Sequence, residues 1–154
     1  TRYFLAARKA DSQLTFDIDL ARSQSSDNPV YYIQYAHARV CSIFRKLAEA
    51  GHSWSEEQGL VALSALTLDS EKDLIVKLGR FPEVVRNAAN NREPHQIANY
   101  LKDLASDFHT YYNSEKTLVD DVELRNGRLT LAEAVRQVIA NGLDLLGVSA
   151  PQEM

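Results

Sequence analysis

Hydrophobic residues recur at three- and four-residue steps from residue 27 to the end of the chain, which is the period of amphipathic α-helices. The first helix is predicted to begin at Asp27 or Asn28, either of which can cap it, with Pro29 in its first turn and Gly51 after its last. Capping residues, glycines and prolines predict the other boundaries, with starts at 55–58, 69–70, 94 and 130–133 and breaks at 79, 82, 90–91 and 126–127. The pattern predicts an all-α bundle of about five or six helices.

A different pattern occupies the N-terminal part of the chain. Residues 14–20 alternate between apolar and polar side chains, which predicts a half-buried strand or extended segment. Residues 21–27 are polar and rich in serine, which is typical of a connection between two parts of a chain. We therefore expect residues 1–26 to be the remnant of a preceding segment and residues 27–154 to form the helical domain. The apolar residues soon after the first position indicate a chain cut from a longer protein.

The composition excludes only a few classes of function. The 154 residues carry a formal net charge of −4, whereas proteins that bind nucleic acid through general electrostatics are usually basic. An RNA partner would therefore need a local cationic patch that acts against the overall charge. The single cysteine, Cys41, cannot form an internal disulfide, and the longest apolar runs are far too short to cross a membrane. These features predict a cytoplasmic protein with no membrane partner.

No group of residues has the spacing of a catalytic or metal site. The four histidines do not share the short gaps of metal ligands, and no glycine-rich phosphate loop is present. His37 and Cys41 fall within the first predicted helix, where a hydrogen-bonded edge residue and a small buried side chain are the simpler interpretations. Asp17 and Asp19 share one side of the predicted strand, which makes a carboxylate pair of low specificity. We predict neither catalytic residues nor a metal site.

The first long helix carries aromatic residues beside its apolar face. Tyr32, Tyr35 and Arg39 follow one another at i, i+3 and i+7, and Lys46 continues the same line at the edge of the buried face. Aromatic rings and a guanidinium plane are what unstacked RNA bases require for stacking and for hydrogen bonds. The alternative is that the tyrosines only widen the buried face, and periodicity alone favours this packing role.

A second aromatic cluster ends the late helix that is predicted to begin at Pro94. Phe108 and Tyr112 are four residues apart and can share one face of that helix, with Tyr111 beside them. Packing in the core or at its rim is again the simpler interpretation of these rings.

The first long helix resembles a signature of the arginyl-tRNA synthetase family, through the sequence DNPVYYIQYAHAR at 27–39. The stretch before it is similar to the segment that joins the family's catalytic core to this helix, through ARKADS at 7–12 and FDIDL at 16–20. The end of the chain is similar as well, through LAEAVR at 131–136, NGL at 141–143, LLGV at 145–148 and APQEM at 150–154. The resemblance implies the family's all-helical, C-terminal anticodon-binding domain.

The resemblance also implies which residues meet the anticodon of the tRNA. The corresponding positions in this chain are Tyr32, Tyr35, Arg39, Phe108, Tyr112 and Met154. The first three come from the signature helix, the next two from the late helix and the last from the end of the chain. In the family this surface reads mainly the central cytosine of the arginine anticodon.

The resemblance further implies a parent enzyme that joins arginine to its tRNA with ATP and Mg²⁺. The implied partners are tRNA(Arg) and the catalytic domain of the same chain, in a monomeric, cytoplasmic protein. The two hallmark motifs of the catalytic core, one like His-Ile-Gly-His and one like Lys-Met-Ser-Lys, do not occur in this sequence. We therefore expect these residues to need no cofactor and to be inactive alone.

Two other interpretations stay open at this point. The tyrosines and the arginine could dock a partner protein, since both residue types are enriched at protein–protein hot spots. The helices could also form a purely structural subdomain whose exposed rings pack on the catalytic core. Both alternatives predict that the chain does not distinguish an arginine anticodon from one with a changed middle base.

Overall fold

The computed structural model describes residues 1–9, 11–12 and 16–154. This part of the chain contains eight α-helices, one 3-10 helix and no β-strand. In chain order the elements are α1 (Arg2–Ala6), α2 (Ile18–Arg22), α3 (Pro29–Glu49), α4 (Glu56–Val61), a 3-10 helix (Ala62–Ala65), α5 (Asp69–Gly79), α6 (Phe81–Asn91), α7 (His95–Ser114) and α8 (Val122–Leu145). The predicted all-α class is confirmed, and the main body from α3 to α8 has six α-helices.

The three longest helices, α3, α7 and α8, pack on one another and form the centre of the bundle. Their facing sides carry the fully buried side chains of Ile33, Val40, Leu101, Leu104, Val135 and Ile139. Each large apolar side chain that leaves water in this way contributes about 1.5–3 kcal/mol. Helices α5 and α6 lie against α7, while α4 and the 3-10 helix lie against α8. None of the described helices combines the length and the hydropathy that crossing a membrane requires.

Helix α3 begins and ends where its sequence predicts. The Asn28 side-chain oxygen accepts a hydrogen bond from the Tyr31 backbone N–H at 3.5 Å, and Pro29 occupies the first turn. The Asn28 amide also donates to the Ser23 carbonyl at 2.8 Å, so the capping residue ties the preceding segment to the helix. Beyond the last turn, Gly51 has a φ of +75°, a left-handed conformation that glycine adopts without steric cost.

Of the strand or extended segment predicted at residues 14–20, the structure bears out only extended backbone angles at Asp17, and the prediction is wrong for residues 18–20. Residues Ile18–Arg22 form the short helix α2, and residues 13–15 lie outside the described part of the chain. The Asp17 side chain caps α2 by accepting a hydrogen bond from the Leu20 backbone N–H at 2.9 Å. A capping carboxylate beside a few apolar residues produces the same short alternation as a strand. Asp17 is therefore a helix cap and not half of a carboxylate pair.

The break predicted at residues 126–127 and the helix start predicted at residues 130–133 are also wrong, because α8 runs through both. Its N-terminus lies earlier, where the Asp121 side chain accepts a hydrogen bond from the backbone N–H three residues on, at 2.9 Å. Gly127 sits inside α8 because a Cβ atom there would come within 2.7 Å of the Ala62 carbonyl oxygen. This glycine serves close packing between α8 and the 3-10 helix and does not form a turn.

A buried ion-pair cluster links α8 to α5 and to the end of α7. Arg128 donates from Nε to Glu71 Oε1 at 3.0 Å and from Nη2 to Glu115 Oε2 at 3.1 Å. Its Nη1 donates to the Lys116 carbonyl at 2.8 Å. Glu71 is fully buried and also accepts a hydrogen bond from the Tyr111 hydroxyl at 3.1 Å. Burial, with the Glu71 charge beside it, raises the pKa of Tyr111, so this phenol keeps its proton and acts as a donor.

Candidate nucleic-acid interface

The aromatic stripe of Tyr32, Tyr35 and Arg39 lies along the edge of α3 that faces α7. The three side chains are half-buried, whereas Ile33 and Val40, the next residues along the helix from Tyr32 and Arg39, are fully buried. The stripe therefore stands at the rim of the core, where part of each side chain stays open to solvent.

Arg39 lies between two aromatic rings, one from each helix. Its guanidinium carbon is 4.6 Å from the centre of the Tyr35 ring on α3 and 4.6 Å from the centre of the Tyr112 ring on α7. Both separations fall within the range of cation–π attraction, about 6 Å. The Arg39 Nη1 also donates to His109 Nδ1 at 3.0 Å and to Asn113 Oδ1 at 3.4 Å. Four contacts thus hold the guanidinium at the junction of α3 and α7.

The His109 ring is buried next to this guanidinium, with 4% of its surface exposed. Its Nε2 lies 3.0 Å from the Tyr32 backbone carbonyl oxygen, and its Nδ1 is the acceptor for Arg39. A carbonyl can only accept and a guanidinium can only donate, so the imidazole carries its single proton on Nε2. Burial lowers the pKa of His109 and the Arg39 charge lowers it further, against the opposite effect of the hydrogen bond to the Tyr32 carbonyl. The ring is therefore neutral near pH 7.

A cleft of about 440 Å³ opens beside Arg39 and is lined by Tyr35, Arg39, Tyr112 and Met154. These are four of the six positions implied by the family resemblance, brought together from α3, α7 and the end of the chain. The volume falls within the usual range of small-molecule sites, roughly 300–1,000 Å³. The other lining residues are Ala38, Ser42, Arg45, Lys46 and Glu153. Aromatic surface and hydrogen-bond donors therefore face one concave space.

This cleft is cationic although the whole chain is acidic. Arg39, Arg45 and Lys46 line it, with Glu153 as the one carboxylate side chain among its lining residues. Glu153 lies 3.7 Å from the Arg45 Nη1, but both side chains are exposed, so water screens this pair. The lining residues therefore carry a local excess of positive charge on a chain of net charge −4.

The last residues of the chain reach the cleft because side chains of α3 hold them. The donors are Gln34, His37 and Arg45, and the acceptors are the backbone carbonyls of Ser149, Pro151 and Gln152, at 2.8, 2.8 and 3.2 Å in that order. We call residues 149–154 the C-terminal strap. The strap sets Met154 at the mouth of the cleft, with 49% of its surface exposed. His37 is thus a hydrogen-bonded edge residue, as the sequence predicts.

The other two positions implied by the resemblance lie outside this cleft. The Tyr32 ring packs on the His109 ring, with centroids 4.3 Å apart, and lines a separate cleft of about 620 Å³ formed by α1, α2, α3 and α7. Phe108 is 1% exposed and belongs to the core. A base cannot stack on a ring that is enclosed by protein, so we exclude Phe108 from the interface.

Sequence reasoning misses three residues that shape the site. His109 and Asn113 contact Arg39, and the Tyr31 ring stacks on the Tyr35 ring with centroids 6.2 Å apart. Helical spacing offers a weak signal for the first two, because His109 is three residues before Tyr112 and four before Asn113 and so neighbours both on the surface of α7. Their partner comes from α3, however, and no pattern within α7 identifies it.

Candidate metal ligands and thiols do not contribute to the site. Histidine, cysteine and carboxylate side chains form no group of three or more within the described ranges that could bind a metal ion. Cys41 is half-buried, and burial raises the pKa of its thiol, so it lacks the character of an activated thiolate. The chemistry that the cleft offers is stacking, hydrogen bonding and positive charge.

The chain is similar in sequence to a known protein family and to several arginine–tRNA ligases. The family model for the DALR anticodon binding domain matches residues 33–154. An arginine–tRNA ligase of Coxiella burnetii is 56% identical over 153 residues, which cover 99% of this chain and 26% of that protein. An arginine–tRNA ligase of Thioalkalivibrio sulfidiphilus is 58% identical, with the same shares of both chains covered.

A solved structure gives the same comparison in three dimensions. Thermus thermophilus arginyl-tRNA synthetase superimposes with a TM-score of 0.84 and 34% sequence identity, over 99% of this chain and 26% of that chain. The present chain therefore spans about a quarter of the length of the relatives that it matches.

Proposed function

The chain belongs to the DALR anticodon-binding domain family, and from this premise we propose that it binds the anticodon loop of an arginine tRNA. In this proposal the chain serves as one domain of an arginine–tRNA ligase. The observation that carries the proposal is the single cleft in which Tyr35, Arg39, Tyr112 and Met154 meet.

The chemistry of this cleft suits unpaired bases. Bases of an anticodon loop are single-stranded, so their faces and their Watson–Crick edges can turn outward to a protein. Tyr35 and Tyr112 offer aromatic surface, and a stacked base contributes about 1–3 kcal/mol per ring. The thioether of Met154 adds a flexible, polarizable group that can pack against a base.

Arg39 supplies the hydrogen bonds of the proposed site. Its Nη1 is engaged by His109 and Asn113, while the described residues offer no acceptor to its Nε or Nη2. These remaining N–H groups are available to the oxygen and nitrogen acceptors of a base edge, and the family resemblance implies the central cytosine as that base. Tyr32 borders the neighbouring cleft, where we propose that it contacts an adjacent part of the loop.

We further propose that the whole protein joins arginine to its tRNA with ATP and Mg²⁺, as a monomer in the cytoplasm. The present chain lacks the hallmark motifs of the catalytic core, so we expect it to make no arginyl-adenylate alone. Arginine-dependent pyrophosphate exchange by the purified chain tests this expectation, and clear turnover would contradict it.

A gel shift tests the proposed RNA recognition directly. The chain is titrated against an RNA hairpin that carries an arginine anticodon and against a matched hairpin whose middle anticodon base is changed. We expect tighter binding to the first hairpin. Equal binding to both, or to neither, favours a protein-docking or a purely structural role for the same rings. The acidic net charge predicts modest affinity and a shallow dependence on salt.

A pair of substitutions then locates the interface. Tyr35→Ala removes a ring from the cleft, and Lys72→Ala removes an exposed lysine of α5, on an element that does not line the cleft. At fixed salt, Tyr35→Ala should lose about 1–3 kcal/mol of binding free energy, because it removes aromatic stacking surface. Lys72→Ala should lose much less. Equal losses from the two variants would mean that the tyrosine only packs against the protein.

A further inference from the structure

Arg39 is a long, flexible, cationic side chain, and it can serve a ligand only if it is held in place at the cleft while it keeps its charge. Fixing such a side chain in one place costs conformational entropy, so a free arginine would spend much of its time away from the cleft. A carboxylate partner could hold it, but that partner would also cancel its charge. Among the described residues no carboxylate lies within ion-pair distance of Arg39, and its hydrogen-bond partners are the neutral side chains of His109 and Asn113.

We infer that His109 is a positioning residue: as a neutral, buried acceptor it fixes the Arg39 guanidinium between Tyr35 and Tyr112 without cancelling its charge. The inference rests on the proposed function for what Arg39 contacts. His109 itself touches no RNA in this scheme, because it is 4% exposed and does not line the cleft. It acts through the side chain that it orients.

The position of the imidazole is itself defined by α3. The His109 Nε2–H donates to the Tyr32 carbonyl, and the ring packs on the rings of Tyr32 at 4.3 Å and Tyr35 at 5.6 Å. These contacts leave one tautomer and one ring orientation, with the Nδ1 lone pair directed at the Arg39 Nη1. Helix α3 thus positions its own arginine through a histidine on α7.

The arrangement requires a neutral ring. A second proton would sit on Nδ1, where it would point at an Arg39 N–H group and add a positive charge beside the guanidinium. From α3 the groups that face the ring are the guanidinium and the phenols of Tyr32 and Tyr35, and from α7 the side chains one turn on are Tyr112 and Asn113. None of these is a carboxylate that could balance the second charge. Protonation should therefore release Arg39 from its place.

Three variants separate positioning from simple packing. His109→Leu fills the space of the ring with an apolar side chain and removes both hydrogen bonds, so we expect about tenfold weaker binding of the arginine-anticodon hairpin at pH 7.5. His109→Gln can donate to the Tyr32 carbonyl and accept from Arg39, so its affinity should stay within about threefold of wild type. His52→Gln, an exposed histidine in the loop after α3, is the matched control and should bind as wild type does.

The dependence of RNA affinity on pH separates the two roles, because a side chain that only packs would not change the affinity when the pH changes. As the pH falls from 7.5 to the lowest value at which both proteins stay folded, the affinity of wild type should fall relative to that of His109→Gln, whose side chain cannot be protonated. Protonation of the other histidines strengthens RNA binding equally in both proteins, so this effect cancels in the ratio of the two affinities. A melting curve at each pH confirms that the proteins stay folded. A constant ratio over this range would overturn the inference.

Nitrogen NMR of the free 154-residue chain provides an RNA-independent test. We expect the His109 signals of a neutral ring with a proton on Nε2 and a hydrogen-bonded, unprotonated Nδ1. A proton on Nδ1 would overturn the inference, as would a folded His109→Leu variant that binds the hairpin within twofold of wild type.

If His109→Leu does not fold, the ratio of the affinities at different pH values and the NMR result decide. If wild type does not distinguish the two hairpins, the proposed function fails, while the NMR result still judges the link between His109 and Arg39.

Discussion

Arg39 and Arg128 both reach α7 near its C-terminal end, but opposite kinds of partner hold them. Arg128 has a side chain that is 7% exposed and donates to two carboxylates and one carbonyl. Arg39 is half-buried and contacts two aromatic rings, an imidazole and an amide. The charge of Arg128 is neutralised within the protein, whereas the charge of Arg39 remains available at the cleft.

This difference shows how partner chemistry separates a structural arginine from one that can serve a ligand. Carboxylates fix the geometry of a guanidinium and neutralise it together, which suits a buried joint between helices. Aromatic rings and neutral acceptors fix the geometry of a guanidinium without neutralising its charge. Two arginines in helical segments of the same chain therefore have different roles, and only their neighbours in space distinguish them.

The largest expected effect comes from breaking the buried pair. Arg128→Met leaves Glu71 fully buried without its cation, and losing one member of a buried pair typically costs about 3–5 kcal/mol of unfolding free energy. Urea denaturation followed by circular dichroism measures the loss. A change below about 1 kcal/mol would mean that Glu71 is protonated or that water replaces Arg128, and the comparison between the two arginines would then fail.

The matched substitution Arg39→Met should affect RNA binding more than stability, whereas Arg128→Met affects stability. It should weaken hairpin binding by about 1–3 kcal/mol, because good hydrogen-bonded base contacts are worth that much. Its unfolding free energy should change by about 1–2 kcal/mol, less than for Arg128→Met, because the two hydrogen bonds that are lost go to neutral partners and no buried charge is left unpaired. Binding titration and urea denaturation on the same protein check both expectations. A large stability loss with unchanged binding would make Arg39 a second structural arginine.

A smaller effect is expected from the edge of the cleft. Met154→Ala removes a thioether that lines the cleft while half of its surface is exposed, so its contribution to stability is small. Sulfur–aromatic contacts are worth about 0.3–1.5 kcal/mol, and hairpin affinity should fall by that amount. Leu145→Ala is a control, since this side chain is similarly exposed and does not line the cleft. Equal affinity changes in the two variants would remove Met154 from the site.

The smallest effect concerns the dependence of stability on pH. The pKa of His109 is lowered from its ordinary value of 6.5, mainly by burial, so the unfolded chain binds more protons than the folded one just below pH 6.5. The unfolding free energy should therefore decrease as the pH falls from 6.5 towards the folded-state pKa. His109→Gln should show a flatter profile in urea denaturation at several pH values. An unchanged slope would mean that the ring is not buried as described.

The two long helices α3 and α8 show what the sequence could predict of the fold. In α3 the cap, the proline and the terminal glycine act locally, so its boundaries follow from neighbouring residues. In α8 the asparagine–glycine pair looks like a turn, yet Gly127 is used for close packing against Ala62, which is distant in sequence. A local pattern cannot tell a glycine needed for a turn from one needed for a contact.

The residues of the site also divide into those that a local sequence pattern predicts and those that only the packing of the helices reveals. Tyr35 and Arg39 stand out in the sequence because helical spacing puts them at the edge of a buried face. The same spacing could not tell Phe108, which is enclosed, from Tyr112, which lines the cleft four residues later. It gave no reason to join His109 to Arg39, since that hydrogen bond spans 70 positions. Exposure and long-range pairing come from the packing of α3 on α7.

The C-terminal strap has a practical consequence for anyone preparing this protein. Because residues 149–154 are held along α3 and end at the mouth of the cleft, an affinity tag fused after Met154 would emerge where a nucleotide is expected to enter. A tag with several histidines there would also add titrating charge beside Arg45. A purification tag for binding measurements therefore belongs at the other end of these 154 residues.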